Sequence, residues 1–81
     1  MIDVRVLYFA QFADDSGKPD EILQIAKGSS ASDLFDKLQE RYTLSLDKDQ
    51  CRVAVNERFV SWDTQLEAND TLALIPPVTG G

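Results

Sequence analysis

The ending Pro76-Pro77-Val78-Thr79-Gly80-Gly81 holds the residues whose types and spacing point most directly to chemistry. Glycine has no Cβ and adopts almost any backbone conformation. A terminal Gly-Gly is therefore thin enough to enter a narrow channel, and it leaves the last carboxylate unobstructed. The two prolines hold the preceding chain extended and away from the body. Fully extended, the six residues reach roughly 20 Å. The pattern predicts a stiff arm with a pliable tip, delivering the Gly81 carboxylate into another protein's active site.

A free carboxylate is a poor electrophile. It must be activated, most simply as an acyl-adenylate from ATP. Sulfur can then displace AMP and leave a thiocarboxylate, which is ionised at neutral pH and strongly nucleophilic, as thiolates are. Alternatively the adenylate passes through a thioester to a lysine, which makes the chain a protein modifier. In both cases the carboxyl group is the reagent, and the catalytic residues belong to the partners.

The elements that must carry this arm are legible in the side-chain pattern. Ile2 to Phe9 reads as a strand with Val4, Val6 and Tyr8 on one face and Arg5, Leu7 and Phe9 on the other. Ala10 to Ala13 is expected to form one short helical turn. Asp14-Asp15-Ser16-Gly17-Lys18-Pro19 has the composition of a loop. Asp20 to Ile25 is a second strand. Ser30 can cap a helix with Asp33 reaching back to it. Leu34, Phe35, Leu38 and Tyr42 then form a single apolar stripe. Thr43 to Gln50 is a linker with Leu44 and Leu46 turned inward. Cys51 to Val55, a turn at Asn56-Glu57, and Arg58 to Ser61 make a short hairpin. Trp62 to Ala68 is irregular, with Leu66 as a core anchor. Thr71 to Ile75 is the last strand, stopped by prolines that cannot donate to a ladder.

The resulting order is ββαβββ. One helix on one face of a mixed sheet is the economical two-layer solution for such a chain. The order is that of the ubiquitin-like β-grasp folds, an α+β class in which the first and last strands lie side by side. Residues 1–75 are expected to form this domain, and residues 76–81 the protruding tail. Alternation then places Leu7, Phe9, Ile75 and Phe59 on the face away from the helix, where polar residues would be usual. A contiguous apolar patch there reads as a partner surface beside the root of the tail.

Composition narrows the function. The chain has 81 residues, enough for one domain but not for both a substantial pocket and a full core. That weighs against a self-contained enzyme. Histidine, the commonest general base, is absent. A net charge of −6 repels nucleic acid and anionic membranes and favours a basic protein partner. A single cysteine, with no signal peptide and no bilayer-spanning apolar run, suggests the reducing cytoplasm.

Phe9-Ala10-Gln11, the Val55-Asn56 turn with Val60-Ser61 after it, and the ending Pro76-Pro77-Val78-Thr79-Gly80-Gly81 resemble the small subunit of molybdopterin synthase. The likeness runs over essentially the whole chain. The Pro-Pro-Val-Thr-Gly-Gly ending is its specific part; a bare Gly-Gly also suits a thiamine sulfur carrier or a ubiquitin-like modifier. The resemblance implies that a ubiquitin-activating-enzyme-like adenylyltransferase, using ATP and Mg, adenylates Gly81, and that a sulfurtransferase system converts it to a thiocarboxylate. Sulfur then passes to cyclic pyranopterin monophosphate on the large synthase subunit, forming the molybdopterin dithiolene. Two sulfurs per pterin imply a heterotetramer of two small and two large subunits. The chain would be the non-catalytic sulfur donor, with no permanently bound cofactor or metal. In that family the apolar sheet face contacts both partners, at positions matching Phe9, Phe59 and Ile75. The charged Arg5 on that face departs from the family pattern.

Other residues invite weaker readings. Cys51 starts a strand without a neighbouring histidine or clear basic cluster, so a small packing residue is expected rather than a sulfur carrier. The pairs Asp14-Asp15 and Asp47/Asp49 fit no metal-binding spacing and read as solvated loops. Trp62 reads as a packing residue. Nothing around Lys18, Lys27, Lys37 or Lys48 argues for conjugation. The alternatives to a molybdopterin sulfur carrier are a carrier for thiamine or tRNA thiolation, a protein modifier joined through Gly81, and a plain interaction module.

Overall fold

The computed structural model describes residues 1–77. Its elements are β1 (Ile2–Tyr8), α1 (Gln11–Ser16), β2 (Asp20–Ile25), α2 (Ala31–Tyr42), a 3-10 turn (Lys48–Gln50), β3 (Arg52–Val55), β4 (Arg58–Val60) and β5 (Thr71–Ile75). The five strands form one sheet in the order β2-β1-β5-β3-β4. β1 and β5 run parallel in its interior, with Leu7 opposite Ala73 and Tyr8 opposite Leu74. The remaining pairs are antiparallel. This is the expected α+β, β-grasp arrangement, with α1 as a small addition to ββαβββ.

The main helix forms where its sequence says it should. Ser30 Oγ accepts from the Asp33 amide at 3.1 Å, and Asp33 Oδ2 accepts from the Ser30 amide at 3.0 Å. This reciprocal box satisfies two of the orphan donors of the first turn. Ala31, Leu34, Phe35 and Leu38 are buried against Val4, Val6, Leu23, Ile25, Val53, Leu72 and Leu74 from the sheet, with Leu66 joining the same core. The helix ends at Thr43, whose φ of 52° is left-handed and whose amide donates to the Gln39 carbonyl at 3.0 Å.

The expectation fails most clearly after β1. Helix α1 runs for six residues, through Asp14, Asp15 and Ser16, rather than ending at Ala13. Phe12 is fully buried, which anchors the first turn. The Asp15 carboxylate accepts from the Ser45 amide and hydroxyl, both at 2.8 Å, which fastens the second. Asp15 is thus a tertiary clamp and not a solvated loop residue. Gly17, at φ 76°, closes the helix by donating to the Ala13 carbonyl at 2.9 Å. Smaller differences lie at strand ends: β1 stops at Tyr8, β3 starts at Arg52 and β4 stops at Val60.

The β3–β4 hairpin turns at Asn56 and Glu57, with φ values of 52° and 71°. Two residues with positive φ match the twist of the flanking strands. Asn56 also holds the neighbouring strand. Its side chain donates to Asp70 at 2.9 Å and accepts from the Thr71 amide at 3.0 Å.

Candidate functional site

Strand alternation sends β1 and β5 side chains to both faces of the sheet. Val4, Val6, Tyr8, Leu72 and Leu74 enter the core. Leu7, Ala73 and Ile75 face the other way. Register then sets a row across the outer face. Leu7 is opposite Ala73, Ala73 is opposite Ala54, and Ala54 is opposite Phe59. Phe9, just beyond β1, and Ile75, at the end of β5, line the same depression. The two alanines make its floor, and the larger side chains stand around them.

The four residues expected on this face are together, but they are not equally open. Phe9 and Phe59 are 46% and 63% exposed, an unusual position for phenylalanine. Leu7 and Ile75 are half-buried, so the contiguous apolar patch expected from alternation is only partly exposed. Both belong to interior strands with neighbours on either side, so adjacent side chains shade them. Ile22 was missed: it is 68% exposed on edge strand β2, opposite Arg5. The alternation Asp20, Ile22, Gln24 could have revealed it.

The depression continues to the base of the tail. A second groove has Asp49, Arg52, Phe59, Ile75, Pro76 and Pro77 among its lining residues. Pro77 is exposed, whereas Pro76 is half-buried. The first proline therefore lies in the groove rather than standing clear of the body, because its apolar ring gains from partial cover. Val78, Thr79, Gly80 and Gly81 lie outside the described residues.

Arg5 and Arg52 are the two arginines at outward strand positions. Arg5 is paired with Asp20 at 2.5 Å. The Arg52 guanidinium carbon lies 5.3 Å from the centre of the Phe59 ring, within cation–π range. The sequence alone does not single out Arg52. Its seat over Phe59 depends on β3–β4 pairing.

Cys51 is ill-suited to carry sulfur. Burial, followed by the nearby Asp49 and Asp47 carboxylates, pushes its thiol up to about 11. At neutral pH it is a protonated thiol and a poor nucleophile, with Sγ 3.3 Å from the Asp47 carbonyl. Trp62 packs edge-on against Phe35, with ring centres 5.2 Å apart. Among the described residues no group of three or more Cys, Asp or Glu is arranged to hold a metal ion, and no helix is long and apolar enough to cross a membrane.

On the opposite face, one acid is nearly enclosed. Glu21 accepts from the hydroxyls of Tyr8 at 2.6 Å and Tyr42 at 2.5 Å, with Lys18 at 3.6 Å and Arg41 at 4.0 Å. Burial opposes its ionisation. The Tyr42 and Tyr8 hydrogen bonds, with Lys18 and Arg41, outweigh that effect and hold the carboxyl below its ordinary value. Burial and the bond to Glu21 raise the Tyr8 phenol well above the usual range. This cluster joins β1, β2 and α2, and contributes to the scaffold rather than to the outer face.

The arrangement can dock an apolar partner surface at the tail root, and among the described residues it holds no nucleophile–base pair. Known proteins are similar to this chain along its full length. A molybdopterin synthase sulfur carrier subunit of Mycobacterium tuberculosis is 35% identical over 83 residues, covering 100% of both chains. A solved structure from Pyrococcus furiosus, described as molybdopterin converting factor subunit 1, is 31% identical with TM-score 0.83, covering 96% of this chain and 100% of that one. A Helicobacter pylori structure is described as a complex of subunits 1 and 2 of molybdopterin-converting factor. It is 26% identical with TM-score 0.71, covering 99% of this chain and 100% of its own. The ThiS family pattern matches residues 6–81, and the chain belongs to the ThiS family.

Proposed function

We propose that this chain is the sulfur carrier subunit of a molybdopterin synthase. An adenylyltransferase joins the Gly81 carboxylate to AMP, releasing pyrophosphate from magnesium-bound ATP. A persulfide-type donor attacks the acyl carbon, AMP leaves, and reductive cleavage of the sulfur–sulfur bond by a thiol leaves the thiocarboxylate. Delivered into the large subunit, that sulfur attacks a side-chain carbon of cyclic pyranopterin monophosphate, and the carbon–oxygen bond at that carbon breaks, with the oxygen leaving as a protonated or phosphate-bound group. The acyl–sulfur bond is then hydrolysed, which returns the Gly81 carboxylate and leaves sulfur on the pterin. Two carriers supply the two dithiolene sulfurs, in a cytoplasmic assembly of two small and two large subunits. The observation that carries this reading is the outer apolar depression, bounded by Phe9 and Phe59, running into the groove of Ile75, Pro76 and Pro77. A docking face continuous with the tail root fixes where the tail enters the partner. The full-length likeness to sulfur carrier subunits supplies the substrate class.

The test is the intact mass after incubation with ATP, magnesium, the host adenylating enzyme and a sulfur donor. The expected gain is one oxygen replaced by one sulfur, mapped to Gly81. An unchanged mass together with lysine-linked adducts in the same extract would overturn this reading in favour of a protein modifier.

A further inference from the structure

We propose that Arg52 is a specificity-determining residue of the docking face, and that the large subunit presents a carboxylate to it at the mouth of its tail channel. The proposal rests on the sulfur-carrier reading and deepens it. Arg52 opens β3 directly opposite Ile75, the residue before Pro76. Its guanidinium sits over the ring of Phe59, and both side chains are exposed. Among the described residues the ion pairs join Arg5, Lys18, Arg41 and Lys48 to Asp20, Glu21 and Asp36. Arg52 takes part in none of them. Among the described residues Arg52 thus forms no ion pair at the tail root, where Asp49 lines the same groove without bonding to it, although the chain as a whole carries −6.

The consequence follows from burial. A partner that covers Phe59 also covers the cation stacked on it. Taking an unpaired charge out of water is costly, and pairing it with a hydrogen-bonded carboxylate removes that cost. The planar guanidinium offers a fork that matches a carboxylate with two parallel bonds while keeping its face on the ring. An acceptor without the carboxylate buries Arg52 unpaired and is rejected; one with it is selected, with the tail root held in register.

The test uses the full-length chain and the large synthase subunit from the same organism, with Kd measured calorimetrically at low and high salt. Arg52→Ala is expected to bind on the order of tenfold more weakly or worse, with a reduced salt dependence. Arg52→Lys keeps the charge but loses the fork, and falls between. Arg52→Glu is weaker still, and reversing the partner's acidic residue to arginine restores it. Lys27→Glu makes the same change in net charge on the loop before α2 and retains the wild-type Kd. Thermal unfolding of each variant matches the parent. Wild-type affinity and salt dependence in Arg52→Ala would overturn the proposal, as would equal weakening by Lys27→Glu. Failure of the wild-type chain itself to bind the large subunit would instead overturn the sulfur-carrier reading, and this proposal with it.

Discussion

Ala73 and Ala54 face each other across β5 and β3 at the middle of the sheet's outer face. With Leu7 beyond one and Phe59 beyond the other, they make this face a trough rather than a ridge. A partner can approach the backbone closely there. Ala73→Glu fills the trough with a charge that points away from the core. Large-subunit binding should weaken at least about tenfold, roughly 1.4 kcal/mol, while the thermal midpoint moves by only a few degrees. Calorimetric binding beside a thermal melt reads both. Undiminished affinity would show that the partner docks elsewhere.

The Glu21 cluster makes stability pH-dependent in a definite direction. Its carboxyl is held lower in the folded chain than in the unfolded one. The stabilisation is therefore fully present above the ordinary glutamate value of about 4.3 and is lost as pH falls through the depressed folded value. Tyr42→Phe removes one of the two hydroxyls and should cost about 1 kcal/mol at neutral pH. Glu21→Gln should flatten the acid limb of a plot of unfolding free energy against pH. An unchanged acid limb would mean that other carboxylates govern acid unfolding.

Cys51 offers a direct check on where sulfur is carried. Its thiol is raised to about 11 and partly buried. Cys51→Ala should accept sulfur at the wild-type rate, with all of the added mass mapping to Gly81. Loss of charging in this variant would return the thiol to the chemistry.

Glu57 occupies the second position of the hairpin turn at φ 71°, where a Cβ is disfavoured by about 1–2 kcal/mol. Its side chain is exposed. Glu57→Gly should relieve most of that strain, offset in part by the greater freedom of glycine in the unfolded chain. A net gain of about 0.5–1 kcal/mol is expected in urea unfolding. A loss would mean that the Glu57 side chain makes a stabilising contribution larger than the strain.

Much of the scaffold was legible because its signals are local. The Ser30–Asp33 box, the apolar stripe of α2, the Asn56-Glu57 turn and the bounds of β2 and β5 each depend on residues a few positions apart. The second turn of α1 was not legible. Its support comes from Ser45, 30 positions away from Asp15, so the local composition of Asp14 to Pro19 still reads as a loop. The same limit hid the Glu21 cluster, which gathers residues 8, 21 and 42 from three elements.

For the candidate site, the sequence by itself determined which side chains leave the core, because alternation along a strand has period two. It also supplied the tail, whose prolines and glycines carry their conformational consequences wherever they are placed. Alternation does not say which strands are neighbours. The likeness to β-grasp chains suggested that the first and last strands meet, and the register of the folded sheet decided the rest. Parallel pairing of β1 with β5 put Leu7 beside Ala73, and antiparallel pairing through β3 carried the row to Phe59. Those contacts join residues more than 60 positions apart in the case of Leu7 and Ala73. Burial of the opposite face against α2 selects them, since a one-residue slip would turn every core side chain outward.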